Sequence, residues 1–287
     1  KRGDSLDNPL GHPKEFKLPA MEVVPGKYTN TLYSPRDITD DWKAYKHYLS
    51  EVKPAFHPHV LFVGHDSSEI ENIALMSLGG ILHHMNGSAN YALVGEGNIN
   101  ILSDIISKKQ PEWIGFNLYT GLTDYVFDWI KKYKIERASF ILKKTISDFD
   151  TADKALKNMV RETNGPIYDG NQIIYAPVII GVHFNNYSFE ESFCKGGDYV
   201  VRGKGINILR DILLGLYSPG IYHDPMPYAN IPRMDREAFF KDMYEFSDKT
   251  KGYVVSRIKS VLTALGCSYT CSYYYIRSYS QMWCMRT

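Results

Sequence analysis

The chain has 287 residues, 44% hydrophobic and 23% charged, which excludes a disordered chain, a collagen-like repeat and a disulfide-rich mini-protein. Lys+Arg number 33 against 32 Asp+Glu, a net charge of +1, so no basic field exists to hold a phosphate backbone and nucleic acid is not an expected partner. No run approaches the roughly 18 apolar residues of a membrane span. The four cysteines, Cys194, Cys267, Cys271 and Cys284, follow no secreted disulfide spacing. The cytoplasm is therefore the expected compartment, with no membrane partner. Aromatics reach 14%, with 22 tyrosines, a composition suited to half-polar pockets.

Taken in chain order, residues 1–57 read as an N-terminal arm, because Pro9, Pro13, Pro19, Pro25 and Pro35 interrupt any regular pattern. At 58 the pattern changes. His59-Val-Leu-Phe-Val-Gly64 is a short apolar run ended by glycine, which predicts a strand buried on both faces. Glu69–His84 has the spacing of a helix, Tyr91–Val94 that of a second strand, and Ile99–Lys109 a second helix. Trp113–Leu118 reads as a third strand and Leu122–Lys134 as a third helix. The stretch 135–172 predicts an extra helix near Thr151–Thr163 and a tight turn at Tyr168-Asp-Gly-Asn. Ala176–Gly181 and Tyr199–Val201 are further strands, followed by a helix over Ile206–Leu216. Pro219, Pro225, Pro227 and Pro232 mark 217–252 as a linker. The segment 253–287 carries a strand-like Ser260–Leu265 that runs into Gly266-Cys267.

Alternation of strand and helix predicts a doubly wound α/β domain over 58–216, a Rossmann-like parallel sheet covered on both faces. In such sheets ligands bind at the carboxyl ends of the strands. Here those ends are Gly64-His65-Asp66, Gly95-Glu-Gly-Asn98, Tyr119-Thr120-Gly121, Gly181-Val182-His183 and Arg202-Gly203. Glycine lets a backbone approach a large ligand closely. Gly95-Glu-Gly97 lacks the spacing of a dinucleotide fingerprint, which disfavours NAD. His83 and His84 are adjacent on a predicted helix and do not face one way, so they form no joint metal site.

Gly266-Cys-Ser-Tyr-Thr-Cys-Ser-Tyr-Tyr-Tyr-Ile276 places two cysteines four apart on a loop leaving a strand. Two buried structural thiols are one reading of it. The segment also resembles the cluster loop of radical S-adenosylmethionine (SAM) enzymes, C-x-x-x-C-x-aromatic-C. Cys267, Cys271 and Tyr273 match, while Tyr274 stands where the third cysteine belongs, leaving Cys284 as the nearby thiol. Upstream, Val178-Ile-Ile-Gly-Val-His183 is similar to the Gly-Gly-x-His motif of the cobalamin-binding domain that precedes the barrel in many of these enzymes, with Ile180 at one glycine. Asp198-Tyr-Val-Val-Arg-Gly-Lys-Gly205 is similar to that domain's Arg-Gly-Glu-Gly-Glu, with Lys204 and Ile206 at the two glutamates. The mutase-type motif Asp-x-His-x-x-Gly does not occur.

The resemblance covers about 58–276 and implies a cobalamin-binding Rossmann-like domain followed by the start of a radical SAM partial (β/α) barrel, of which 253–287 would be the first strand and cluster loop. Only 13 residues follow Tyr274, against the roughly 200 that a barrel needs. The resemblance further implies a cobalamin-dependent methyltransferase moving a methyl group to an unactivated carbon, with cobalamin, a [4Fe–4S] cluster and SAM as cofactors. Its partners would be a small-molecule or peptide substrate and an electron donor for the cluster. It implies metal ligation by Cys267, Cys271 and Cys284, and a SAM contact from Tyr273. Cobalamin contacts would come from Gly64, His65, Asp66, Tyr119, Thr120, Gly121, Gly181, Val182, His183, Arg202 and Gly203. The alternative, favoured by Tyr274, is a non-catalytic cobalamin-binding module with a degenerate cluster loop.

Overall fold

The computed structural model describes residues 57–65, 72–118, 123–182, 188–203, 205–224, 234–246, 264–265 and 284–285. Apart from His57, the expected N-terminal arm lies outside them. The first unit is β1 (His59–His65), α1 (Ile73–His84), β2 (Ser88–Val94), α2 (Ile101–Lys109) and β3 (Trp113–Leu118). Two helices follow, α3 (Asp124–Leu142) and α4 (Phe149–Thr163), then a hairpin of β4 (Ile167–Asp169) and β5 (Gln172–Tyr175). The chain continues through β6 (Val178–Val182), α5 (Phe189–Cys194), β7 (Tyr199–Gly203), α6 (Ile206–Leu213), β8 (Gly220–Asp224) and α7 (Arg236–Phe246). Six of the strands form one all-parallel sheet in the order β2-β1-β3-β6-β7-β8.

Both faces of this sheet are covered, which is why its strands read as unbroken apolar runs. Val60 to Gly64 are buried without alternation. Phe62 stacks on Tyr91 at 5.8 Å, and the Tyr91 hydroxyl lies beneath Gly79 of α1, where a Cβ would stand 1.7 Å from it. Gly115, level with Phe62 in register, leaves room for that ring. The next residue, Phe116, points to the other face and packs at 5.9 Å on Trp129 of α3. Consecutive strand residues face opposite ways, so α1 and α3 lie on opposite faces and the sheet is doubly wound.

Helix α3 continues two turns beyond the predicted end at Lys134. The reason is a buried ion network. Lys134, fully buried, donates from Nζ to Asp153 Oδ1 and to Asp198 Oδ1, both at 2.6 Å. Asp153 Oδ2 accepts from Lys157 Nζ at 2.7 Å, and Lys157 also donates to the Phe193 carbonyl. Asp198 Oδ2 accepts from the Tyr175 hydroxyl at 2.6 Å and from the Val178 amide at 2.8 Å. Two lysines meet two aspartates, so the cluster is neutral and its polar atoms are paired, as burial demands. A mid-helix lysine reads in sequence as a solvent-facing end; here it is the centre of the α3–α4 pair. Burial, with the neighbouring Lys134 cation, holds the Lys157 amine below its usual range.

The stretch 217–252, expected as a linker, instead supplies the sixth strand and a helix over the far edge. Edge strand β2 would leave backbone donors open to another chain. Asp242 of α7 covers them: its Oδ2 accepts from the Tyr91 amide at 2.8 Å and from Asn90 Nδ2 at 2.9 Å. Asp235, just before α7, accepts from the Tyr91 hydroxyl at 3.0 Å and pairs with His83 Nε2 at 3.2 Å. Burial pushes the Asp242 carboxyl up. Further on, β9 (Ala264–Leu265) pairs antiparallel with β10 (Cys284–Met285). A (β/α) barrel pairs its strands in parallel, so the expected barrel start is not among the described elements.

Two predictions follow from this packing. Lys134→Met leaves two buried carboxylates without their cation and is expected to cost roughly 3–5 kcal/mol, read as a lower urea midpoint; a loss below about 1 kcal/mol would show that the network contributes little. The second concerns alkaline pH. Burial, partly opposed by Arg137, pushes the Tyr133 phenol up to about 12, and burial with the Asp198 carboxylate raises Tyr175 and Tyr199 as well. Unfolded phenols release their proton near pH 10, whereas the folded chain retains it. Stability is thus intact below about pH 10 and is lost as pH rises towards about 12. Melting temperature measured across that window should fall together with a rise in tyrosinate absorbance.

Candidate ligand cleft at the carboxyl edge

Strands β1 and β3 are neighbours, yet the chain leaves β1 for α1 on one face and β3 for α3 on the other. Loops that diverge in this way open a crevice between them. The crevice is small, with a cavity volume of about 10 Å³, and opens to solvent. Its walls are Val63, Gly64 and His65 from β1, Val94 from β2, Phe116, Asn117 and Leu118 from β3, and Tyr125 and Val126 from the first turn of α3. Among the described residues no carboxylate, lysine or arginine lines it. The Tyr125 hydroxyl donates to the Val94 carbonyl at 3.2 Å and closes one side.

Gly64 is required by packing. A Cβ there would stand 2.7 Å from Asn72 Nδ2 and 2.8 Å from Leu75 Cδ1. Asn72 in turn caps α1, its Oδ1 accepting from the Leu75 amide at 3.1 Å. The glycine thus seats the start of α1 directly against the strand end. His65 follows, and its Nδ1 is buried with no hydrogen-bond partner among the described residues.

The same edge continues along the sheet. Gly181 lies level with Asn117, Val182 with Leu118 and with Arg202, and Gly203 with Asp224 of β8. A Cβ at Gly181 would meet only the Phe116 carbonyl, at an ordinary 3.4 Å. Arg202 sets its guanidinium 5.3 Å over the Phe189 ring. Gly205 adopts φ +74°, a left-handed conformation that favours glycine, and so turns the chain into α6.

The structure therefore brings Gly64, His65, Gly181, Val182, Arg202 and Gly203 to one edge. Asp66, Tyr119, Thr120, Gly121 and His183 lie outside the described residues, as do Cys267, Cys271 and Tyr273. The backbone of Cys284 lies in β10, level with Leu265. Among the described residues no group of three His, Cys, Asp or Glu side chains could hold a metal ion, and no helix is long and apolar enough to cross a membrane. Cys194, at the end of α5, is exposed. Sequence reasoning missed Phe116, Asn117 and Tyr125. Asn117 carried a signal, a polar residue near the carboxyl end of an otherwise apolar strand. Tyr125 carried none, because helical periodicity does not reveal which turn meets a crevice.

No protein family matches the chain, and no curated protein does. Among solved structures, a novel cobalamin-binding protein from Desulfitobacterium hafniense DCB-2 aligns with 63% of this chain and 71% of its own, at 13% identity and a TM-score of 0.30. A likeness that distant assigns neither ligand nor fold.

Gly64→Ala tests the packing at the cleft. The methyl group must displace Asn72 or Leu75, so the variant is expected to lose roughly 1–3 kcal/mol in urea unfolding. An unchanged midpoint would show that the seat of α1 on β1 is loose.

Proposed function

We propose that the carboxyl edge of this sheet binds a cobalamin and that the chain serves a cobalamin-dependent radical SAM enzyme, a methyltransferase acting on an unactivated carbon. One observation carries the reading: the residues that bear the sequence resemblance, Gly181-Val182 and Arg202-Gly203, end adjacent parallel strands on the same edge as the β1–β3 crevice. The chemistry of the crevice, rather than its size, supports the reading. Its walls are apolar with a few neutral polar groups, and an orphaned buried imidazole nitrogen awaits a partner. A corrin has an apolar body and a rim of carboxamides. At about 10 Å³ the crevice admits a water-sized group, against roughly 300–1,000 Å³ for typical small-molecule pockets, so the reading requires it to widen on binding.

When bound, a cobalamin supplies a methyl group carried on cobalt. In this reading Gly64, Gly181 and Gly203 admit the ligand close to the backbone, and His65, Asp66, Val182, His183 and Arg202 border it together with Tyr119, Thr120 and Gly121. Cys267, Cys271 and Cys284 would hold the [4Fe–4S] cluster, with Tyr273 towards SAM. The pairing of β9 with β10 sets the backbone of Cys284 level with Leu265, two residues before Cys267, which favours Cys284 as the third thiolate. Tyr274 favours the second reading, a cobalamin-binding module without a working cluster, since phenolate is not among the usual cluster ligands.

The test is protein purified and reconstituted without oxygen. Cobalamin bands in its absorption spectrum are expected. The paramagnetic resonance of the cob(II)alamin form is expected to lack splitting from a protein imidazole, because the Asp-x-His-x-x-Gly motif is absent; an imidazole triplet would refute that mode of binding. Iron and acid-labile sulfide separate the two readings. Tyr274→Cys is expected to raise both, whereas a variant no richer in iron than the parent points to the module. A spectrum without cobalamin after reconstitution overturns the proposal as a whole.

A further inference from the structure

An asparagine or aspartate followed by glycine can close a ring on its own main chain, because glycine has no side chain to block attack of its amide nitrogen on the preceding Cγ. The sequence holds three such pairs, Asn86-Gly87, Asn164-Gly165 and Asp169-Gly170. In an unfolded chain the two Asn-Gly pairs react first at neutral pH, since a carboxamide is a better electrophile than an ionised carboxylate. The fold reverses that order.

Gly87 is locked. Its amide donates to the Leu82 carbonyl at 2.8 Å, and a Cβ on it would stand 2.5 Å from the Pro58 carbonyl oxygen. The Asn86 carbonyl accepts from His57 Nδ1 at 3.0 Å. Ring closure must turn the peptide between Asn86 and Gly87, which these contacts hold. Asn164-Gly165 is held from two sides. Gly165 is buried, with a Cβ position 3.4 Å from the Trp113 ring, and its carbonyl accepts from Thr163 Oγ1 at 2.9 Å. The Asn164 carbonyl oxygen lies 3.0 Å from the Cβ position of Gly215.

Asp169-Gly170 differs in each respect. Asp169 is level with Gln172, so Gly170-Asn171 is the two-residue loop of the β4–β5 hairpin. Gly170 takes φ +58°, the conformation that places glycine first in such a loop. Asp169, Gly170 and Asn171 are exposed, and a Cβ on Gly170 would meet nothing within 4 Å. The Gly170 amide donates to no carbonyl among the described residues. The hairpin is a two-stranded sheet apart from the main one, and its register shifts between Ile167 and Tyr168. Such a ribbon opens locally at little cost.

We infer that Asp169 is a self-modifying site, converting to isoaspartate in the folded protein. The Gly170 nitrogen bonds to Asp169 Cγ, and the carboxyl hydroxyl leaves with the amide proton as water. Water then opens the resulting succinimide at either carbonyl, returning aspartate or leaving isoaspartate. The main chain of isoaspartate runs through Cγ and is one methylene longer. Water is the only co-reactant. The longer chain disturbs the pairing of Asp169 with Gln172 and displaces Tyr168, whose hydroxyl donates to Glu112 Oε1 at 2.6 Å. Glu112 Oε2 in turn accepts from the His59 amide at the start of β1. The inference is independent of the ligand proposed above.

The experiment incubates the full chain at neutral pH, folded and, in parallel, unfolded in guanidinium chloride, followed by trypsin digestion and mass spectrometry with electron-transfer fragmentation. Asn164 and Asp169 share the tryptic peptide Glu162–Lys195, so its mass reports deamidation and its fragments report isoaspartate in one measurement. In the folded chain isoaspartate at 169 is expected to accumulate severalfold ahead of deamidation at Asn86 or Asn164. In guanidinium chloride the order is expected to reverse. Asp169→Glu would need a six-membered ring, so it should lose the isoaspartate signal while the melting temperature stays unchanged. A folded chain without isoaspartate at 169 overturns the inference. Deamidation at either asparagine running ahead of it in the folded chain, or one and the same order in both states, overturns it as well.

Discussion

Asp198 is the residue on which the geometry of this sheet depends. It stands one position before β7. Its amide donates to the Val178 carbonyl and its carbonyl accepts from the Gly220 amide, both at 2.9 Å. Its carboxylate takes the Val178 amide, the Tyr175 hydroxyl and the Lys134 ammonium. One buried residue, through its backbone and its side chain, thus ties β6, β7 and β8 to the hairpin and, through Lys134 and Asp153, to α3 and α4. A charge removed from water tolerates little misplacement, because its desolvation is offset only by close, well-aligned partners. The register it sets at the amino edge carries along these strands, so Arg202 comes level with Val182 and Gly203 with Asp224 at the other end.

The two edges of the sheet divide the work. The amino edge is charged and its polar groups are paired. The carboxyl edge is glycine-rich, and at the β1–β3 crevice His65 Nδ1 is buried with no hydrogen-bond partner among the described residues. A buried polar group left without a partner costs stability.

The far edge shows a third constraint. Strand β2 ends the sheet, and an open row of backbone donors invites pairing with another chain. Helix α7 closes it with Asp242, while Asp235 fixes the Tyr91 hydroxyl beneath Gly79. Glu245 adds surface pairs to Lys108 and Lys109, which hold its carboxyl below the usual range. The helix therefore belongs to the sheet it covers, although four prolines precede it in a stretch that reads as a connector.

Sequence alone determined the parallel sheet and the places where its strands end. Apolar runs such as Val60–Val63 and Trp113–Leu118 need no tertiary information to be read, because a strand buried on both faces has no polar alternation. The Tyr168-Asp-Gly-Asn turn was legible for a similar reason, since Gly170 takes φ +58° there. The tertiary structure alone decided which ends face one another. Gly64, Asn117 and Tyr125 share a crevice because β1 and β3 are neighbours that send their chains to opposite faces, and strand order is a property of pairing between distant segments. It also decided that Lys134 is buried, since a lysine enters a core only when partners such as Asp153 and Asp198, far along the chain, are brought to it. The sixth strand and α7 escaped sequence reading for the same reason: what makes Asp242 part of the fold is an amide of Tyr91 that no local pattern contains.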